Sequence, residues 1–272
     1  NKDAWTEAGL PDRGPETWDE MAEWAPKLVT DTRSAFAHPN GASYIAWLFQ
    51  GVIWQFGGAY SDAEFTILID SDAGIEAGEF YKSSVVDGWA STPADINADF
   101  TNGLTASMMA SIGGLKGITE TATFDVGTAF LPEKYEFGCC TGGAGLAIMA
   151  DAPVENQDAA FRFIQFATSP ETTTFWSQNT GYMPVRKSAI SSPEMQDFFD
   201  DNPNFKTAVD QLEKTQPQDA ARVFIPGGDQ IIGGGLEEIT INKGDVADAF
   251  SDVKTTLEEE AEPVLESLDA LG

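Results

Sequence analysis

Forty-four aspartates and glutamates face 15 lysines and arginines in this 272-residue chain, a formal net charge of -29. Carboxylates are almost never fully buried without a partner, so any fold open to this sequence holds them at its surface and builds its interior from the apolar stripes between them. The acids do not collect in a tail. They recur within helical stretches such as Thr17-Trp18-Asp19-Glu20 and Thr256-Leu257-Glu258-Glu259-Glu260, the pattern of a solvated face. Such a surface repels itself in dilute buffer, whereas in molar salt the Debye length falls to about 3 Å and the repulsion is screened. The composition is that of a protein adapted to high salt. Binding of DNA or RNA through the phosphate backbone is disfavoured, because no stripe of Lys and Arg exists.

The stripes themselves predict an alternation of helices and short strands. Thr17-x-x-Glu20 is a capping box, and Trp18, Met21, Ala25 and Leu28 behind it follow helical spacing, so a helix is expected over about 17–31. Phe65-Thr66-Ile67-Leu68-Ile69 alternates as a strand, and Asp70-Ser71-Asp72 then opens a helix through Ala77, Phe80 and Tyr81 that stops near Gly88. Leu104 to Met109 and Val126 to Pro132 read as two further short, buried strands, and Gly145-Leu146-Ala147-Ile148-Met149 as a core strand. Asp158 to Ala167 places Ala160, Phe163, Ile164 and Ala167 on one inward face. Ser169-Pro170 restarts a helix that ends near Asn179-Thr180-Gly181. Val246, Phe250, Val253, Leu257 and Leu265 form the seam of a last helix, expected to be interrupted at Pro263. No repeat and no low-complexity linker divides the chain. Strand and helix units joined by short loops imply an α/β protein with a sheet covered by helices.

Few motifs carry chemistry. The two cysteines are the adjacent Cys139-Cys140, and His38 is the one histidine. A zinc site needs four such ligands at suitable spacing, so no metal and no cofactor is expected. His38 pairs with no nucleophile motif and reads as a loop residue. Asp70-Ser71-Asp72-Ala73-Gly74 begins like a calcium loop, but its glycine is one position early and Tyr81 stands where a bidentate Glu is required. Gly142-Gly143-Ala144-Gly145 lacks the third glycine of a dinucleotide fingerprint, and Gly113-Gly114-Leu115-Lys116-Gly117 lacks the end of a P-loop. These glycines instead let backbone N–H groups approach a ligand or a crossing strand. Trp47 and Trp54 flank an apolar run. Their rings are either core anchors or planes that cover the C–H face of a sugar. No stretch reaches the roughly 20 apolar residues of a membrane span. The chain opens on Asn1-Lys2-Asp3 without an initiator Met, as a sequence that begins inside a longer protein would.

Several segments, in order, resemble one family. Asn1-Lys2-Asp3-Ala4-Trp5, Ala8-Gly9-Leu10, Thr17-Trp18-Asp19-Glu20, Trp54-Gln55-Phe56-Gly57-Gly58, Phe100-x-x-Gly103, Ala110-Ser111-Ile112-Gly113, Gly142-Gly143-Ala144-Gly145-Leu146, Ser169-Pro170-Glu171 and Thr180-Gly181-Tyr182-Met183-Pro184-Val185 are similar to the sugar-binding group of the extracellular solute-binding proteins of ABC importers, and within it to the branch that binds glycerol 3-phosphate. The resemblance implies the two-lobe fold of periplasmic-binding-protein-like type II, with lobes joined by crossing strands and a solute held between them. It starts after the first crossing, which implies that most of the amino-terminal lobe lies outside this chain. Residues 1–100 and 136–272 are then expected to build the carboxy-terminal lobe, and 101–135 the returning portion of the amino-terminal lobe.

The implied function is non-enzymatic: capture of a sugar or glycerol-phosphate-type solute and delivery to the membrane permease. The protein is expected to act as a monomer, outside the cell and lipid-anchored to the outer face of the membrane. Carried over residue by residue, the family's cleft serine matches Ser111, its glycine turn Gly142 and Gly143, and its tyrosine Tyr182. The phosphate-reading arginine of the nearest branch matches Arg222, where Phe224-Ile225-Pro226 departs from the pattern. Trp54 completes the expected ligand set. A carbohydrate-acting enzyme on a similar scaffold and a structural or adhesive surface protein are the alternatives. The match also puts Cys139-Cys140 where the branch has aliphatic residues, which predicts two small buried thiols at the start of a strand, with a vicinal disulfide as the other possibility.

Overall fold

The computed structural model describes residues 1–270. In chain order the elements are α1 (Lys2–Glu7), α2 (Trp18–Leu28), β1 (Phe36–Ala37), α3 (Ala42–Gln55), α4 (Asp72–Val86), β2 (Ala90–Ser91), α5 (Ile96–Thr101), α6 (Leu115–Thr121), α7 (Val154–Ala167), α8 (Pro170–Thr180), α9 (Lys187–Ile190), α10 (Pro193–Asp201), α11 (Pro203–Gln211), α12 (Ala220–Val223), α13 (Gly228–Thr240) and α14 (Val246–Asp269). They fall into two compact units. Unit 1 is Asn1–Met109, Ala122–Thr141 and Glu213–Gly272, and unit 2 is Ala110–Thr121 and Gly142–Leu212. The division differs from the expected spans of 1–100, 101–135 and 136–272. The piece returning between the parts of unit 1 is shorter at first, and 142–212 belongs with it, because Gly181, with φ +116°, lies against the carbonyl of Ile112 and the side chain of Leu115. A side chain at that position would fall 2.2 Å from the carbonyl oxygen.

Unit 1 is built around α3, whose residues from Ile45 to Gln55 are buried apart from Trp47. Helix α13 crosses it at Gly233, where an added Cβ would meet the Ala42 carbonyl oxygen at 2.0 Å. Helix α4 meets α14 in the same way at Gly78, against Val246 and Phe250. Phe49 stands edge-on to Tyr81 with centroids 4.7 Å apart. The fully buried Trp18 packs on Phe36 and donates its indole N–H to Gln55 Oε1 at 2.5 Å. Gln55 in turn donates to the Gly138 carbonyl at 2.7 Å, so a buried amide is satisfied on both sides.

The sheet is small. β1 and β2 pair in parallel with Phe36 opposite Ala90, and the segment expected as a strand over 104–109 pairs with the other side of β1 through Ser34–Thr105 and Ala37–Met108. The unit is a mixed helical and parallel-sheet layer, as the α/β reading requires. His38 follows β1 into the interior. Its ring lies 3.9 Å from that of Tyr81, and its Nε2 is 2.7 Å from Ser84 Oγ. The Ser84 hydroxyl donates to the Tyr81 carbonyl at 2.6 Å, so the imidazole is the donor in the first bond. Burial pushes its pKa down to about 3.

The capping signals hold. Thr17, Ser71 and Ser169 cap α2, α4 and α8 by accepting from Glu20, Gly74 and Thr172 N–H. Gly181 ends α8 in the left-handed region, and Gly88 turns at φ +80° just beyond α4. The reciprocal half of the capping box is absent: Glu20 binds Arg13 through both oxygens and takes the Glu16 N–H. Helix α2 stops at Leu28, short of the expected 31, where Val29 turns extended.

Several strands and one break are corrected. At 65–69, Asp62 Oδ1 accepts from both Glu64 N and Thr66 N, and Phe65 takes φ +65°, so the segment is a turn that buries Ile67 and Ile69. Residues 126–132 form no strand among the described residues, and 127–130 are exposed. Residues 145–149 form no strand among the described residues, and Leu146 and Met149 are exposed because nothing pairs with them. The expected face of α7 is only partly covered: Ala160, Ile164 and Ala167 are half-buried, no residue of the helix is fully buried, and Phe163, with Phe161 and Phe166 beside it, stands in solvent. Pro263 does not interrupt α14, which is continuous from Val246 to Asp269. The carbonyl it frees, on exposed Glu259, is open to water.

Candidate functional site

The best-formed polar arrangement lies in unit 1, around the short helix α12. Asp219 at its start accepts from Tyr60 N at 2.7 Å and from Trp54 Nε1 at 3.2 Å, and Ser61 Oγ accepts from Ala221 N at 2.9 Å. These bonds fasten α12 to α3 and to the loop after it. Burial raises the Asp219 pKa, against the N–H groups of Tyr60 and Ser61 and the Trp54 indole, which hold it down. Arg222 follows on the same turn. Its Nη1 donates to Gln218 Oε1 and its Nη2 to the Ser43 carbonyl at 3.2 Å. The Nε–H is buried without a partner, and no carboxylate pairs with the guanidinium among the described residues. The arginine borders a pocket of about 490 Å³ lined by Gln218, Arg222, Phe224, Ile225, Pro226 and Asp229, among others.

Two bonds carry this surface on to an aromatic pair. Gln218 Nε2 donates to the Thr141 carbonyl at 2.7 Å, and Trp47 Nε1 reaches the same oxygen at 3.5 Å. Trp47 and Tyr44 are stacked, 5.8 Å between centroids and 26° between planes, and both are half-buried. A guanidinium, a side-chain amide and two aromatic faces thus share one side of unit 1. Tyr44 and Trp47 are one helical turn apart, a spacing that in the sequence reads as core, and Gln218 carries no sequence signal at all.

The expected ligand residues are distributed unevenly over this geometry. Arg222 is at the pocket. Trp54 is not a surface ring: it is buried and its indole N–H is committed to Asp219, so it serves as a core anchor while Trp47, two turns earlier, presents the aromatic face. In unit 2, Ser111 caps the turn Ile112–Gly114 by accepting from Gly113 N at 3.2 Å. Tyr182 lies over Gly113, where a Cβ would come within 2.5 Å of its ring, so Ser111 and Tyr182 share one corner of that unit. Gly142 and Gly143 are exposed, and an added Cβ at Gly143 would meet nothing.

Behind Trp47 lie the two thiols, which are not joined in a disulfide. Cys140 is buried, with its Sγ 3.0 Å from the Trp47 carbonyl, and burial pushes its pKa up to about 12. Cys139 is half-buried. Cys140 is bridged in parallel to Gln216 as an isolated pair, and the strand expected to start there does not form among the described residues. No group of three or more His, Cys, Asp or Glu among the described residues could hold a metal ion.

A two-lobe fold with these features defines a class. Residues 1–207 match the model of the bacterial extracellular solute-binding proteins, and the chain belongs to that family. Its members bind substrates outside the cell or in the periplasm. Among the relatives, the chain is similar to the sn-glycerol-3-phosphate-binding periplasmic protein of Yersinia enterocolitica, 30% identical over 240 residues, which are 80% of this chain and 53% of that protein. The Escherichia coli K12 counterpart is 27% identical over 237 residues, with the same coverage. Among solved structures, it is similar to UgpB from Mycobacterium tuberculosis in complex with glycerophosphocholine, at 46% identity and a TM-score of 0.93 over 97% of this chain and 68% of that one. Maltose-bound MalE3 of T. maritima, at 21% identity and a TM-score of 0.81, shares the fold. The chain spans about half the length of the curated relatives it matches. No helix among the described residues is long and apolar enough to cross a membrane.

Proposed function

We propose that this chain is part of the substrate-binding component of an ABC importer, which captures a glycerol-phosphate-type solute and hands it to the membrane permease without altering it. The observation that carries this reading is Arg222. In a chain with a net charge of -29, its guanidinium has no carboxylate partner, is steadied by Gln218 and Ser43, and keeps one buried N–H unanswered beside a pocket. A buried donor without a partner costs free energy, and a phosphate oxygen answers it with a charge-assisted bond. The similarity to glycerol-3-phosphate and glycerophosphocholine binders supports the same chemistry.

Tyr44 and Trp47 take the organic part of the solute, and Ser111, Gly142, Gly143 and Tyr182 supply further contacts. A neutral sugar is the second reading, favoured by the stacked pair Tyr44–Trp47, whose faces suit sugar C–H surfaces. Unit 1 corresponds to the carboxy-terminal lobe and unit 2 to the returning part of the amino-terminal lobe. The uncovered side chains of α7 are where the rest of that lobe packs, in keeping with the 68% of the solved relative that the chain covers. The protein works as a monomer in high salt, held by a lipid on the outer face of the membrane.

Calorimetry of the full-length protein in molar salt tests this against glycerol 3-phosphate, glycerophosphodiesters and oligosaccharides. Saturable binding of a phosphate ligand is expected without turnover, and Arg222→Ala should weaken it about 100-fold, the loss of one or two charge-assisted hydrogen bonds. Binding of sugars alone, unaffected by the substitution, favours the second reading. No binding to any of them overturns both.

A further inference from the structure

Arg222 is not the only charged side chain at its pocket. Asp229, in the first turn of α13, lines the same wall. One of its oxygens accepts from Ser43 Oγ at 2.5 Å and the other from Gln230 N at 2.9 Å. The carboxylate is therefore fixed in direction, unlike most acids of this surface. Ser43 also offers its carbonyl to Arg222 Nη2 at 3.2 Å, so a single residue holds the guanidinium and the carboxylate on its two polar groups. No cation pairs with Asp229 among the described residues.

Arg222 is the one cation among the described groups that face it. From α3 the facing group is the neutral Ser43. From α12 they are Arg222 and, at the start of that helix, Asp219, whose oxygens are taken by Tyr60 and Trp54. On α13 the next acid of this face is Glu237, two turns on, which accepts from Gly41 N at 3.0 Å.

An oxyanion seated on Arg222 therefore meets a fixed negative charge at the same pocket. Coulomb repulsion is linear in the charge of the ligand. A phosphate monoester carries about -1.5 to -2 at pH 7, with its second pKa near 6, whereas a diester carries a single charge. Molar salt screens charges separated by more than about 3 Å of solvent but acts much less on partly buried neighbours. We propose that Asp229 is a specificity-determining residue that shifts the preference of the site away from doubly charged phosphate monoesters and towards singly charged phosphodiesters. This rests on the reading of Arg222 as the phosphate-binding group.

The test compares glycerol 3-phosphate with glycerophosphoglycerol, a diester without a cationic group, on the full-length protein in molar salt. Asp229→Asn keeps an oxygen for the Ser43 hydroxyl and removes the charge. It should raise affinity for glycerol 3-phosphate about tenfold and that for the diester only about threefold, since the repulsion removed is halved for the single charge. Lowering the pH from about 7.5 to about 5.5 protonates the monoester, so the gain that Asp229→Asn brings to it should shrink towards that of the diester. Asp229→Ala, which also removes the bond to Ser43, separates positioning from charge. If both variants shift the two ligands by the same factor, the residue is merely structural and the inference falls alone. If the unaltered protein binds neither ligand, the reading of Arg222 falls and this inference with it.

Discussion

Replacing Gly233 by alanine should destabilise unit 1 although alanine is the better helix former. At this crossing of α13 over α3 the new Cβ would lie 2.0 Å from the Ala42 carbonyl oxygen and 2.3 Å from its carbonyl carbon and Cα, about 1.4 Å nearer than ordinary contact at 3.4 Å allows. Every obstructing atom is backbone, so no side chain can swing away. The helices must separate, and the start of α3 is also tied to α13 by Gly41–Glu237 and Ser43–Asp229. Overpacking of this kind costs about 1–3 kcal/mol and sometimes more, while relief of the glycine's helical penalty returns about 1 kcal/mol. The severity of the overlap puts the cost at the upper end, for a net loss of roughly 2 kcal/mol. At roughly 2–4 °C per kcal/mol for a protein of this size, Tm should fall by about 4–8 °C. The internal reference is the next residue: Gly234 is exposed and its Cβ would meet nothing, so Gly234→Ala should gain up to about 1 kcal/mol. Thermal unfolding of both variants in the same molar salt decides. A Gly233→Ala protein as stable as the parent, or a Gly234→Ala protein that loses as much, would refute the close-approach argument.

Trp54→Ala should lower stability by about 3–5 kcal/mol, the range for large aromatic side chains removed from a core, whereas Trp47→Ala should mainly reduce solute affinity; denaturant titration beside calorimetry separates the two, and equal stability losses would contradict the assignment. His38 is depressed from 6.5 to about 3 in the folded state, so the unfolded chain binds its proton first as the pH falls. Its contribution is fully present above pH 6.5 and is lost at about 1.4 kcal/mol per pH unit as acid is added down towards 3. Unfolding free energies of the parent and His38→Phe, compared over that window, should diverge with this slope, and parallel curves would show that the imidazole is charged inside. Removal of salt should destabilise the protein through the unscreened charge of -29; an unchanged Tm between molar and 0.1 M salt would count against the halophilic reading.

What the sequence revealed depended on whether a signal was local. Thr17, Ser71 and Ser169-Pro170 announce helix starts because a cap is satisfied within three residues. Strands need a partner elsewhere, and there the reading held only at 104–109, which pairs beside β1. The alternation at 65–69 belongs to a turn shaped by Asp62, and the apolar run at 145–149 finds no neighbour among the described residues. Division into units was illegible for the same reason, since amphipathic helices look alike whichever unit they join.

The site followed the same rule. Arg222 was reached by resemblance, but Tyr44 and Trp47 sit at helical spacing and resembled core. Ser43, Gln218 and Asp229 are ordinary polar residues until α13 and α12 are placed beside α3. Trp54 misled because a tryptophan next to a Gly-Gly turn gives no hint of which neighbour takes its N–H. Here it was the half-buried Asp219, 165 positions away.

The interleaving of the two units sets an order of events in synthesis. Helix α3 leaves the ribosome well before the helix that completes its burial, α13, which is joined to it by contacts spanning 186 and 196 positions. Unit 1 cannot close until all of unit 2 has been translated, and at roughly 5–20 residues per second that leaves the apolar sides of α3 uncovered for about ten seconds or more. A nascent chain in this condition remains loose enough to be threaded through a translocation pore, and it is also open to wrong partners. The dense acidic surface then has a second benefit, because incomplete chains of like charge keep apart from one another while they wait.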